Sequence, residues 1–343
     1  MNKYSFSLRI VLRLCLGTTF LLLLFLFSGF LFSSGQDAEE PSSHNIKAQE
    51  AELAALKDQF IDPDKVMRVQ VEVDYSEGKK GTWYPKAESP VLRPLVEQGT
   101  LPPVAERVGE EPLVLKGLHG VANYGGSMYR LNKVYAPRIT PINLVRFSPQ
   151  GFPIVPNVAK GWTISDDGRR FTFTLRKGMK WSDGHPFTSA DILYWWEHEQ
   201  CDKSVSPGGP MPEYVHRGKP MTVSAPDPQT VVFSFVDPYF TFLEQVAASP
   251  GEYSESPRHF LLPYHPELGD QKLIQDVMQR HNLVNKRAVY ALVHNRVERP
   301  GIGPWIMRAE KMTSPETIIR NPYYWGVDPE GRQLPYMDRI VVT

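Results

Sequence analysis

The chain has 343 residues with 38 basic and 38 acidic side chains, so its formal charge is zero; the basic excess expected of a nucleic-acid binder is absent. Hydrophobic residues make up 41%, enough for a packed core and too many for global disorder. Proline is abundant, at 31 residues against an ordinary share of roughly 5%, which disfavours long helices and favours short strands joined by ordered loops.

The first 35 residues differ from the rest. Lys3, Arg9 and Arg13 precede an uncharged stretch from Leu14 to Phe32. Ser33-Ser34-Gly35 then supplies small residues, and Asp37, Glu39 and Glu40 follow. Positive charge before the apolar run and negative charge after it orients the N-terminus to the cytoplasm and the remainder outward, so a periplasmic or otherwise extracytoplasmic location is expected. Two readings of residues 1–35 stand side by side: a signal peptide cut after Gly35, or a retained anchor whose apolar stretch, at about 1.5 Å per residue, reaches roughly the hydrocarbon thickness. Cys15 lies before the heart of the apolar run, Phe20 to Phe27, and not after it, which disfavours a lipoprotein. Without residues 1–35 a single cysteine, Cys201, remains, and no internal disulfide can hold the fold.

Residues 36–112 read as a spacer followed by an extended segment that wraps the main domain. A helical pattern runs from Asn45 to Phe60, and short strand-like pieces with Gly, Pro and charge fill 66–112. From residue 113 the pattern sharpens into the main domain, 113–343. Leu113-Val114-Leu115 is a short strand, and Ser127 to Leu131 is another after the Gly125-Gly126 turn. Phe171, Phe173 and Leu175 alternate with polar residues, a half-buried strand. Asp166-Asp167-Gly168 folds Trp162-Thr163-Ile164 back as its hairpin partner. Thr188 is a helix N-cap, with Asp191 near the positive end of the dipole. Ile192, Trp195 and Trp196 give that helix an apolar face, read as core packing in preference to ligand stacking. Thr230 to Val236 is a strand and Tyr239 to Ala248 a helix. Residues 270–298 read as helical, with Leu273, Ile274, Val277 and Met278 as the buried stripe. Strands are expected after Gly301-Ile302-Gly303-Pro304-Trp305, at Thr317 to Arg320 and from Arg339 to the end. The fold class is mixed, α+β or α/β.

Catalytic and cofactor motifs are missing. No glycine-rich phosphate loop precedes a helix, no zinc spacing occurs, and no Gly-x-Ser-x-Gly elbow is present. Glu197, His198, Glu199 and Cys201 cluster in sequence, but their spacing fits no zinc pattern, and the segment reads as a solvated helix end. No cofactor and no metal are expected, and the chain is read as a binding protein, not an enzyme.

Pro156-Asn157-Val158-Ala159-Lys160-Gly161-Trp162, Ser165-Asp166-Asp167-Gly168 and the run from Phe171 to Asp191 with Lys177-Gly178-Met179-Lys180-Trp181-Ser182-Asp183-Gly184 resemble the extracytoplasmic solute-binding proteins of family 5, the oligopeptide, dipeptide and nickel type. Gly301-Ile302-Gly303-Pro304, Arg320-Asn321-Pro322-Tyr323-Tyr324-Trp325 and Leu334-Pro335-Tyr336-Met337-Asp338-Arg339-Ile340 resemble later landmarks of that family, in the same order and spacing. The resemblance covers about residues 113–343.

It implies the first lobe of a periplasmic-binding-protein-like (type II) clamp, which closes on a ligand and docks on a membrane ABC permease. The second lobe, which would follow Arg339 to Val342, is expected to be largely missing, as in a truncated chain. The implied function is that of the solute-binding component of an ABC importer, with a peptide or similar small molecule as ligand and no nucleic-acid partner. The competing reading is a membrane-tethered interaction or structural domain that kept the fold without transport. Where the family opens its cleft, the candidate ligand-binding residues are Asn132, Tyr135 and Arg138 after the Ser127–Leu131 strand and Tyr214 after the capped helix. Tyrosine offers a flat apolar face with a polar tip, and Arg138 can meet a carboxylate with two hydrogen bonds.

Overall fold

The computed structural model describes residues 69–117, 120–130, 142–249, 251–308 and 315–342. The apolar N-terminal stretch and the helical pattern of Asn45 to Phe60 lie outside these residues. Among the described residues no helix is long and apolar enough to cross a membrane.

Residues 69–112 contain turns and short helices where strand-like pieces were expected. A 3-10 helix, Tyr75–Lys80, begins behind Asp74, whose carboxylate accepts from Ser76 N at 2.9 Å. Helix α1, Arg93–Glu97, carries Pro94 in its first turn, and α2, Val104–Val108, follows Pro103; proline's fixed φ suits a helix start and its missing N–H costs nothing there. Several contacts fasten the segment, among them the Gln70–Leu115 and Ala87–Arg332 bridges and two buried side chains. Trp83 is buried with its ring edge-on to Tyr75. Arg107, fully buried, pairs with Glu88, donates to Pro322 O, and reaches Pro102 O at 2.8 Å and Gln333 Oε1 at 3.1 Å.

The strands follow in chain order. They are β1 (Leu113–Val114), β2 (Ser127–Arg130), β3 (Val145–Phe147), β4 (Ile154–Pro156), β5 (Ala159–Ile164) and β6 (Arg170–Leu175). After the first main-domain helix come β7 (Val215–His216), β8 (Lys219–Pro220), β9 (Thr222–Asp227) and β10 (Thr230–Ser234). The last are β11 (Trp305–Met307), β12 (Glu316–Arg320), β13 (Gly326–Val327) and β14 (Arg339–Val342). One four-stranded sheet has the order β5-β6-β10-β9, all antiparallel; the other has the order β11-β12-β14-β2, in which β14 and β2 are parallel. The alternation in β6 works as expected: Phe171, Phe173 and Leu175 are buried, and Phe173 stands opposite Trp162 and Val231. Rings from both sides close the core, with Phe171–Phe242 at 4.9 Å, Phe235–Phe242 at 4.7 Å and Phe173–Phe233 at 5.7 Å. Trp181 and Trp195 are buried with them, and Trp162 is half-buried at the edge.

Helix α3, Ser189–Tyr194, starts in a capping box in which the Asp191 carboxylate accepts from Thr188 N at 2.9 Å. It continues directly as a π-helix, Trp195–Gln200. Helix α4 is Phe242–Ala248, and α5 is Arg258–Leu261. The expected helical run over 270–298 is two helices, α6 (Gln271–His281) and α7 (Lys286–His294). Asn282 breaks it by taking the left-handed conformation (φ 53°), which asparagine tolerates, and Asn285 restarts it by accepting from Ala288 N at 2.8 Å. The α6–α7 hairpin closes a second core of Tyr194, Leu261, Ile274, Val277, Val289, Tyr290 and Val293.

The later motifs are structural clamps. The Asn321 amide donates to Gly303 O at 2.8 Å and accepts from Tyr323 N at 2.8 Å. Trp325 Nε1 donates to Ile302 O at 3.0 Å. One terminal nitrogen of Arg320 reaches Tyr336 O, Met337 O and Asp338 Oδ1 within 3.0 Å.

Candidate ligand-binding site

Of the residues singled out above, Asn132, Tyr135 and Arg138 lie outside the described residues. Tyr214 ends a 3-10 turn, Pro212–Tyr214. Its ring is 6% exposed and packs edge-on against Trp195 and Trp196. The flat face expected to be open to a ligand is therefore taken up by packing. The hydroxyl donates to Glu252 Oε2 at 3.1 Å.

That bond leads to a group of residues the sequence reading left out. Glu199, placed by sequence on a solvated helix end, is buried. Ser256 Oγ donates to Glu199 Oε2 at 2.5 Å, and Tyr290 Oη donates to Glu199 Oε1 at 2.5 Å. Tyr194 Oη lies 2.9 Å from Tyr290 Oη; because Tyr290 spends its proton on Glu199, Tyr194 is the donor in that pair. A cavity of about 310 Å³ opens here, walled by the π-helix, the 3-10 turn Glu252–Glu255 and α7. Glu199, Glu252, Ser256, Tyr290, His294 and Trp195 all contribute to it. Burial pushes the Glu199 carboxyl up to about 7, against the hydrogen bonds from Ser256 and Tyr290. Burial likewise raises Glu252 to about 7, opposed by Tyr214 and reinforced by Glu213, Glu255 and Glu199. A sequence signal for Glu199 existed: it lies seven residues after Ile192, on the face defined by Ile192, Trp195 and Trp196.

A larger and more open cavity, about 630 Å³, lies at the start of α3, against α5 and the loop before α6. His185 and His259 stack there with ring centroids 4.0 Å apart, and His259 Nε2 is 2.7 Å from Asp183 Oδ2. These groups satisfy one another.

His198, Asp202 and His265 come close enough to suggest a metal site. The hydrogen bonds argue against one. His265 is buried, and its Nδ1 accepts from Glu267 N at 3.3 Å and Leu268 N at 3.2 Å. The ring proton is therefore on Nε2, facing His198 O at 3.2 Å and Asp202 Oδ2 at 3.4 Å. A metal ligand at Nε2 would have to give up that proton while Nδ1 still faced two N–H donors, so the cluster is a structural pin.

Residues 153–343 match the sequence profile of the bacterial extracellular solute-binding proteins, family 5. The chain belongs to that family. A protein of Rhizobium meliloti (strain 1021) described as a periplasmic alpha-galactoside-binding protein is 31% identical over 276 residues, which is 73% of this chain and 38% of the relative. Among solved structures, the fold is similar to an oligopeptide-binding protein OppA, with TM-score 0.67 and 32% identity over 76% of this chain and 41% of the other. It is also similar to the periplasmic binding protein MelB of Agrobacterium fabrum C58, solved in complex with stachyose, with TM-score 0.59 and 26% identity over 76% of this chain and 41% of the other. The chain thus spans about two-fifths of the length of these relatives. The mixed α/β architecture expected for a periplasmic-binding-protein first lobe is the one observed.

Proposed function

We propose that this chain is the solute-capturing component of an ABC-type importer, working outside the cytoplasmic membrane on peptides or similar small solutes and delivering them to a membrane permease. The observation that carries the reading is the likeness to the oligopeptide-binding protein over three-quarters of the chain at 32% identity. The 310 Å³ cavity supports it as well, having the size and mixed lining of a small-ligand pocket. The charge order around residues 14–32 supports the location. Similar small solutes include α-galactosides, because relatives of this chain are described as binding them.

In this reading the ligand surface includes the loop after β2, with Asn132, Tyr135 and Arg138. Tyr214 acts from behind, holding the Glu252 carboxyl in place. Isothermal titration of the exported protein with di- to pentapeptides and with α-galactosides tests it. Saturable binding of one class is expected. Failure to bind either class, by protein with a cooperative unfolding transition, contradicts the solute-binding role.

A further inference from the structure

The tip of the α6–α7 hairpin carries charge of one sign. Between Asp276 and Glu298 the sequence has no acidic residue, and Arg280, His281, Lys286 and Arg287 bracket the turn. Arg280, His281 and Arg287 are exposed, and Lys286 is half-buried. At the apex Val284 is 87% exposed, beside Leu283, which packs on the helical core. Among the described residues no ion pair joins Arg280, Lys286 or Arg287 to an acid. Arg287 shares the wall of the 310 Å³ cavity with Glu252 and Glu255, which offset part of its charge; Arg280 and Lys286 are not part of that wall. Asp276 stands one turn before Arg280 on α6. The stability of the hairpin does not call for this arrangement. Lys286 and Arg287 occupy the first turn of α7, where the helix dipole favours acids, and a valine at an exposed apex gains no burial. The formal charge of the whole chain is zero, so attraction to an anionic surface has to come from a local patch.

We propose that the α6–α7 tip docks on a membrane surface rich in anionic phospholipid, with Val284 dipping between headgroups and Arg280, Lys286 and Arg287 on their phosphates. A protein partner of ordinary interface size needs about 800 Å² of fitted surface on each side, and this turn offers one fully exposed apolar side chain. A headgroup layer needs no fitted shape; it takes cations on its phosphates and a shallow apolar side chain between them. Near such a layer each basic residue strengthens binding about fivefold, so three of them supply a preference for anionic over neutral lipid on the order of a hundredfold. The contact is weak and reversible, as suits a protein working outside the cytoplasmic membrane and close to it. It adds a membrane-facing surface to the solute-binding reading and does not depend on which solute is bound.

Val284→Trp puts a fluorescent reporter at the apex. The exported protein carrying it is titrated with vesicles of brominated phosphatidylcholine, with or without brominated phosphatidylglycerol, and its quenching is compared with that of the unsubstituted protein. Because the reporter sits at the tip, a cleaved and a retained N-terminus give the same reading. Excess quenching is expected with the phosphatidylglycerol vesicles alone. Its apparent affinity should fall by about tenfold or more in Arg280→Gln/Lys286→Gln/Arg287→Gln, and it should vanish near 1 M salt, where the screening length is about 3 Å. Arg169→Gln/Arg217→Gln/Lys219→Gln, which removes three exposed cations elsewhere, should leave it unchanged. Equal excess quenching by neutral and anionic vesicles overturns the proposal, as does none with either, or an equal loss in the two triple variants. If vesicles do not quench the reporter and polyglutamate shifts its emission, the tip belongs to an acidic protein partner and the membrane proposal falls. The solute-binding function stands under each of these outcomes.

Discussion

The two hydrophobic cores of this molecule are built on different principles. The sheet core, around Phe171, Phe173, Phe233 and Phe242, is aromatic and apolar throughout, and its strands pair by simple alternation. The helical core, around Tyr194, Tyr290 and the α6–α7 hairpin, encloses polar groups: Glu199, Ser256 and His265 are all buried beside it. An apolar core is stabilised by area and shape, and it makes few demands on chemistry. A core with buried carboxyl, hydroxyl and imidazole groups needs every partner in place, and its stability follows pH. The first holds the lobe together; the second borders the 310 Å³ cavity.

The largest expected effect falls on the sheet core. Phe173→Ala should cost about 3–5 kcal/mol, since the side chain is fully buried. Urea unfolding checks it, and an unchanged midpoint would mean that the β5–β6–β10 core does not carry the lobe.

The helical core should reveal itself through pH. Glu199 is raised by burial to about 7, above the ordinary value of 4.5. Between those two values the folded state holds a proton that the unfolded chain has lost. Its contribution to stability is therefore full below about pH 4.5, declines as pH rises, and is gone above about pH 7. The loss is on the order of a few kcal/mol. Thermal midpoints measured from pH 5 to pH 8 should fall, and Glu199→Gln should flatten the fall. A Glu199→Gln profile parallel to the wild type would place the pH dependence elsewhere.

Much of the sheet region was legible because its signals are local. Alternation in Phe171 to Leu175, the Asp166-Asp167-Gly168 turn and the Thr188 cap each act within a few residues, and the structure forms them as read. The helical region was less legible because its deciding interactions are long-range. Glu199 meets Tyr290 from 91 positions away, so its charge read as solvated although its helical phase pointed inward. Tyr214 read as an open aromatic face because its packing on Trp195 and Trp196 and its bond to Glu252 involve distant segments. The break at Asn282 was hidden because asparagine tolerates left-handed backbone without demanding it. The landmark motifs identified the family, yet their observed roles are clamps, as with Asn321 holding Gly303.

Those clamps give the next prediction. Asn321→Ala removes two donated bonds and one accepted bond around a buried turn and should cost about 1–3 kcal/mol. A cost near zero would mean that the turn is held by Trp325 and the backbone alone. The smallest effect is expected from Tyr194→Phe, which removes the hydroxyl donor to Tyr290 and should cost about 0.5–1.5 kcal/mol. It should leave the Glu199 pH response in place, because Tyr290 and Ser256 still donate to the carboxyl.

The most direct test of the binding role is a crystal structure of the exported protein grown with a free tripeptide. The expected result is a tripeptide in contact with Asn132, Tyr135 and Arg138, the surface proposed above. A peptide bound away from all three, or no bound peptide, would contradict it.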